Sequence, residues 1–328
     1  MMRSEVMNQA SELARTLLVL NNYEWLKSEA AAIGIQIIPI KGIDLLQNLY
    51  AERLDRHVND IDILCKNDDE CRSLVNQLCQ EEYRIEFPFA MQPEALASKK
   101  KVSLLSCSTT KVNIDVHTAF VTKKFFSQTI GAFNSDALRR CKDGHMDDID
   151  RWLFLAQHAA FHVFADSKWT KDLKLLYDGF SEEEKVSLMQ RANEYGFRRV
   201  VIAGLYQTMK DAQDSMHHEL RRLNPTSSER HFLSFVKHFD RPFSRTAFDR
   251  FVSAYLEFTF ISSKSHRFKT WLHLLFPSKG LLTNIYRIKC ATSIIIFYPL
   301  NLLISGLTSI LFGLLYMFVC IKKTIAHE

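Results

Sequence analysis

Two carboxylates two residues apart, Asp60 and Asp62, stand in the run Arg56-His-Val-Asn-Asp60-Ile-Asp62-Ile-Leu64. In an extended strand successive side chains point to opposite faces, so Asp60 and Asp62 share one face and Ile61 and Ile63 the other. The apolar face suits a core, which leaves the carboxylates side by side. Such neighbours repel unless a cation sits between them. A divalent ion with oxygen ligands, Mg2+ first, removes that repulsion. The plainer alternative is a solvated strand edge with chance alternation.

A second segment repeats the pattern. In Lys111-Val-Asn-Ile-Asp115-Val-His117, Val112, Ile114 and Val116 fall on one face, and Asn113, Asp115 and His117 on the other. Pairing of the two strands would bring a third carboxylate, Asp115, beside Asp60 and Asp62. Three converging carboxylates are mutually tolerable when they coordinate metal. Upstream, Ile35-Gln-Ile-Ile-Pro-Ile40 leads through Lys41-Gly42 into an apolar helical run. A strand entering a helix this way offers backbone N–H groups and one ammonium to a phosphate. The alternative gives Gly42 a turn and Lys41 to solvent. His158 and His162, at i and i+4, have zinc-binding spacing, but the glutamate of H-E-x-x-H and a third ligand are missing, which favours packing.

The elements that must position these groups follow from periodicity. Helix is expected over residues 4–32, ended by Gly34, then a strand over 35–40 and a helix over 43–50. A helix over 68–82 and a strand over 83–89 come next. After a looser stretch from 92 to 101, strands at 102–107 and 111–117 are joined by a turn at 108–110. From residue 147 the texture is helical: 148–162, 169–178, 181–195, 197–210, 228–239 and 244–262. The expected domains are 1–145, 146–276 and an apolar tail over 277–328. Residues 300–321 are uncharged and long enough to cross a bilayer as a helix. Pro299 and Asn301 also permit a re-entrant hairpin, and a packed C-terminal helix is the soluble alternative.

Composition bounds the class. The 328 residues, 47% hydrophobic and 24% charged, suit about two globular domains. A net charge of +5 permits contact with phosphates or anionic lipid and demands neither. Seven cysteines without C-x-x-C spacing argue against a zinc ribbon or disulfide framework and favour a reducing compartment. The N-terminal residues have no apolar signal-peptide core. The absence of a long basic face with interleaved aromatics speaks against a nucleic-acid polymerase.

The ordered set Ile40-Lys41-Gly42, Tyr50, Arg56, Asp60-Ile-Asp62-Ile-Leu64, Ile114-Asp115-Val-His117 resembles the bacterial uncharacterised nucleotidyltransferase family. That family belongs to the DNA polymerase β-like nucleotidyltransferase superfamily. The resemblance reaches into the helical half through His158, His162 and Tyr177-Asp178. It implies an α+β fold: a mixed sheet with flanking helices, then a helical domain, followed here by an apolar C-terminal helix. It also implies two-metal transfer of a nucleoside monophosphate from a nucleoside triphosphate to a hydroxyl acceptor, with Mg2+ or Mn2+ on Asp60, Asp62 and Asp115. Lys41 and Gly42 would cradle phosphates, and Arg56 would neutralise phosphate charge or brace the aspartate strand. The superfamily usually has Gly-Ser or Gly-Gly where this chain has Lys41-Gly42. The expected acceptor is a small molecule, a glycan intermediate or a protein, not nucleic acid. The expected location is the cytoplasmic face of the inner membrane, or the cytoplasm. The competing expectation is a catalytically degenerate binding or regulatory protein on the same fold, with links to surface-polysaccharide assembly.

Overall fold

Ile61, Ile63, Ile114 and Val116 are fully buried, and their burial sets the middle of the sheet. Each contributes about 1.5–3 kcal/mol by leaving water. The computed structural model describes residues 2–51, 56–93, 96, 100–121, 129–162, 164, 166–210, 219, 221, 223–227, 229, 230, 233 and 307.

The elements in order are α1 (Met2–Ala32), β1 (Ile38–Pro39), α2 (Gly42–Asn48), β2 (Ile61–Leu64), α3 (Asp68–Gln80), β3 (Tyr83–Ile85), β4 (Lys101–Ser106) and β5 (Ile114–His117). Then come α4 (Thr129–Arg140), α5 (Asp148–Phe161), α6 (Ser167–Asp178), α7 (Glu182–Glu194) and α8 (Arg198–Met209). The strands form one mixed sheet in the order β1-β2-β5-β4-β3. β2 and β5 are parallel, and the other neighbours are antiparallel. A parallel pair needs a crossover connection, and α3, β3 and β4 lie within it.

Local chemistry explains most boundaries. Asn67 caps α3 by accepting hydrogen bonds from the N–H groups of Asp69 and Glu70, and Asp68, Asp69 and Glu70 place negative charge on its first turn. Cys71, Leu74, Val75 and Leu78 recur at helical spacing and are buried. The strand expected over 35–40 shortens to Ile38–Pro39. Pro39 lacks an N–H, which suits β1's place at the sheet edge. The strand expected over 83–89 stops at Ile85 and gives way to a 3-10 turn over Pro88–Met91.

α4 was not expected from periodicity. Gly131, Asn134 and Ser135 weaken its intrinsic propensity. Phe133 and Ala137, one turn apart and fully buried, hold it. The described cysteines Cys65, Cys71, Cys79, Cys107 and Cys141 are free thiols.

By contacts the chain divides into two units. One holds residues 1–123, 130–155 and 171–188, and the other holds 124–129, 156–170 and 189–328. Within the first, Arg151 of α5 reaches α2: its Nε donates to Asp44 Oδ2 at 2.6 Å and its Nη2 to Asp44 Oδ1 at 3.1 Å, with both residues buried. Trp152, fully buried, donates its indole N–H to the Leu173 carbonyl of α6 at 3.0 Å. In the second unit, the rings of His158, His162 and Trp169 pack on one another, with centroids 4.9–5.4 Å apart.

The expected helix at 244–262, most of 228–239, and the tail over 277–328 apart from Leu307 lie outside the described residues. Among the described residues, no helix is long and apolar enough to cross a membrane.

Candidate active site

The site face is set by register. On the parallel pair, Asp62 is the Cα partner of Asp115, and Leu64 is the partner of His117. Partners across a ladder project to the same side, so Asp62, Asp115 and His117 share one face while Ile61, Ile63, Ile114 and Val116 fill the other. β4 adds Lys101 opposite His117 and Ser103 opposite Asp115. At the other edge, the Ile40 N–H donates to the Asp62 carbonyl at 3.0 Å, which brings Lys41 beside Asp62.

Asp62, Asp115 and His117 each offer a ligand atom, and these atoms lie within 4.8 Å of one another. Asp62 and His117 are buried, and Asp115 is half-buried. The expected solvent-facing row is therefore largely enclosed at its centre. Asp60 immediately precedes β2, is exposed, and stands outside that trio. Partial loss of hydration, followed by the charges of Asp62 and Asp115, raises its carboxyl above the ordinary range despite the pull of Lys41 and Lys101. It therefore feels both other carboxylates.

Each central carboxylate carries a cation from the chain. Lys41 Nζ donates to Asp62 Oδ1, and Lys101 Nζ donates to Asp115 Oδ2 at 2.5 Å. His117 Nε2 lies 3.0 Å from Asp62 Oδ1. Burial raises the Asp62 carboxyl, but Lys41 and His117 outweigh it and hold the group below its ordinary value. Burial and the nearby ammonium of Lys41 lower His117, against the opposing pull of Asp62. A neutral imidazole facing a carboxylate, which only accepts, must carry its proton on Nε2. His117 thereby fixes the orientation of Asp62, the usual part of an outer partner at a metal site.

His117 and Lys101 had no assigned role in the sequence reading, although the signal existed. His117 follows Asp115 at period two, and Lys101 falls in phase with Ser103 on β4.

Lys41 and Gly42 occupy a specialised turn. Lys41 has φ 54° and ψ −120°, a backbone that favours glycine. A non-glycine residue held there costs on the order of 1–3 kcal/mol, the kind of strain found at functional sites. Gly42 opens α2, and a Cβ on it would lie 2.7 Å from Val58 Cγ1. Its lack of a side chain is thus a packing requirement as well as a turn signal.

Arg56 is buried, and its guanidinium is committed to α6. Its Nε lies 2.9 Å from both Asp172 oxygens, and its Nη2 lies 2.9 Å from Asp172 Oδ2. Tyr50 donates its hydroxyl proton to Asp172 Oδ1 at 2.9 Å. Of the two roles expected for Arg56, its contacts with Asp172 suit bracing the approach to β2. Tyr177 is buried beside Trp152, and Asp178 pairs with Lys174 at the surface.

The sequence model of the Uncharacterised nucleotidyltransferase family matches residues 7–210. The chain belongs to this family. The match spans the whole sheet, most of α1, and α2 through α8, and so includes every residue of the carboxylate face. A search of curated proteins finds no match.

Two carboxylates, one of them oriented by an imidazole, suit a divalent cation. Their oxygens are the hard donors that Mg2+ and Mn2+ prefer, and so few protein ligands leave positions for water and phosphate. Nucleotidyltransferase membership implies a nucleoside triphosphate substrate, and this donor set is a possible divalent-metal site.

Proposed function

We propose that the protein is a Mg2+-dependent nucleotidyltransferase that moves a nucleoside monophosphate from a nucleoside triphosphate to a hydroxyl of a small molecule, a glycan intermediate or a protein. The observation that carries this is the register pairing of Asp62 with Asp115, with His117 on the same face. Divalent ions, Mg2+ first and Mn2+ as an alternative, supply charge stabilisation to the attacking and leaving oxygens. Asp62, Asp115 and the adjacent Asp60 hold them, and His117 keeps Asp62 in its orientation. Asp115 accepts the proton of the acceptor hydroxyl. The new bond joins that oxygen to the α-phosphorus, the bond from the α-phosphorus to the bridging oxygen breaks, and pyrophosphate leaves. Lys41, with the N–H of Gly42, receives the β- and γ-phosphates. Arg56 serves by bracing.

The test is Asp60→Ala with Asp62→Ala, read as metal-dependent triphosphate binding. Unchanged binding would sink the site assignment. Labelled triphosphates incubated with cell extract should leave a nucleotidylated product in the presence of the wild-type chain alone.

One observation favours a second reading. Lys41 on Asp62 and Lys101 on Asp115 satisfy two carboxylates without any ion, as a catalytically degenerate binding protein would require. In that case triphosphate is bound or ignored, but no product is labelled.

We further propose that the apolar run over 300–321 attaches the protein to the cytoplasmic face of the inner membrane. Fractionation of the full chain against a version ending at Ser278 tests this. Equal solubility would make the run a packed helix.

A further inference from the structure

The two lysines on the carboxylate face are not equivalent. Lys41 issues from a constrained turn and is mostly covered, with 17% of its side chain exposed. Lys101 issues from β4 with 37% of its side chain exposed and a four-carbon stem free to swing. Its ammonium holds Asp115 Oδ2, the oxygen of a residue placed at the metal-ligating centre. A divalent cation at Asp115 competes with that ammonium, because the two positive charges would sit within a few ångströms of each other. Loading of the site therefore favours release of Lys101. The released charge stays on the same face, since Lys101 is the register partner of His117. A triphosphate brings anionic oxygens to that face when it brings its cation.

We infer that Lys101 is a second phosphate-binding lysine, which caps Asp115 while the site lacks substrate and transfers to a non-bridging phosphate oxygen when metal and triphosphate arrive. The inference rests on the nucleotidyltransferase reading of the site. Its consequence is coupling. The ion alone competes with Lys101 and binds weakly, whereas ion and triphosphate together give the ammonium a new partner. Premature loading of metal is thereby disfavoured.

The experiment uses the full chain, with Mn2+ alone followed by spin resonance and inorganic tripolyphosphate in saturating Mg2+ followed by calorimetry. Both probes avoid any assumption about the base or the acceptor. Because Lys101 is part-exposed, Lys101→Met should keep the fold, which circular dichroism checks. Removing one charge-assisted bond predicts roughly tenfold tighter binding of Mn2+ alone and roughly tenfold weaker binding of tripolyphosphate. Lys101→Arg should restore most of both values. The inference is overturned if wild type binds tripolyphosphate in an Asp62-dependent way while both Lys101→Met affinities stay within about twofold, the behaviour of an ordinary surface ion pair. In that case the reading of the site survives. If wild type shows no metal-dependent binding that Asp62→Asn abolishes, both fall together.

Discussion

Asp62 and Asp115 face each other as Cα partners on the two parallel strands, fifty-three positions apart in the chain and adjacent in the sheet. The pairing has no structural reward of its own, since like charges directly opposite on a sheet are destabilising. Lys41 and Lys101 relieve the repulsion in the substrate-free protein. This balance makes the two carboxylates the most informative positions to alter.

Asp62→Asn and Asp115→Asn should each weaken Mn2+ binding by at least roughly 10–100-fold, the range seen even for outer partners of metal ligands. Asp60→Asn should cost less, because Asp60 is exposed and outside the close trio. Titration of the three variants followed by spin resonance checks the order. An Asp60→Asn effect as large as that of Asp62→Asn would make Asp60 a ligand of equal rank.

His117 should make the metal-free protein acid-sensitive. Its folded pKa lies below the ordinary 6.5, so the unfolded chain takes up a proton first as pH falls. Stability from this group is therefore complete above about 6.5 and is lost as pH drops below it. Asp62, held below its ordinary 3.8, contributes stability that is lost only below that value. Asp60 is raised, so it opposes this: the stability it contributes declines as pH rises through its folded value. In chelator, His117→Asn should show a smaller fall in melting temperature between pH 7 and about 5 than wild type. Parallel melting curves for the two proteins would refute the role given to His117.

Lys41→Gly should be more stable than Lys41→Ala by about 1 kcal/mol or more, because only glycine occupies φ 54° without penalty. Both variants lack the ammonium, so their difference isolates the backbone. Both should lose affinity for tripolyphosphate equally. Chemical denaturation and calorimetry give the two readouts. A more stable alanine variant would contradict the strained turn.

Arg56→Ala and Asp172→Ala should each destabilise the fold by about 3–5 kcal/mol, since either takes the opposite charge away from a buried one. The double variant should recover part of that loss. At temperatures where the single variants remain folded, tripolyphosphate affinity should stay close to wild type. A selective loss of affinity in Arg56→Ala would return Arg56 to the phosphates.

Much of this was legible from local pattern. Period-two alternation placed Asp62, Asp115 and His117 on polar faces, and apolar periodicity found α1, α2, α3 and α5 to α8. Alternation reports which side of its own strand a residue occupies, however, and nothing about which strand lies next to it. That β2 pairs with β5 in parallel, with Asp62 level with Asp115, was decided by the sheet. α4 escaped because its helix rests on the burial of Phe133 and Ala137 rather than on propensity. Arg56 was ambiguous because a guanidinium suits a phosphate and a carboxylate equally well, and its partner Asp172 lies 116 residues away.

By itself, the sequence determined the kinds of groups available: three carboxylates, a histidine, lysines at a turn and in a strand, and the ordered motif that carries the family. Tertiary structure alone decided which of them touch. It grouped Asp62, Asp115 and His117 in one centre with Asp62 and His117 buried and Asp115 half-buried, put Asp60 at its rim, and set a lysine on each of the two central carboxylates. The physical reason is that burial and charge pairing depend on neighbours from other strands, and side-chain spacing along one strand contains no record of them.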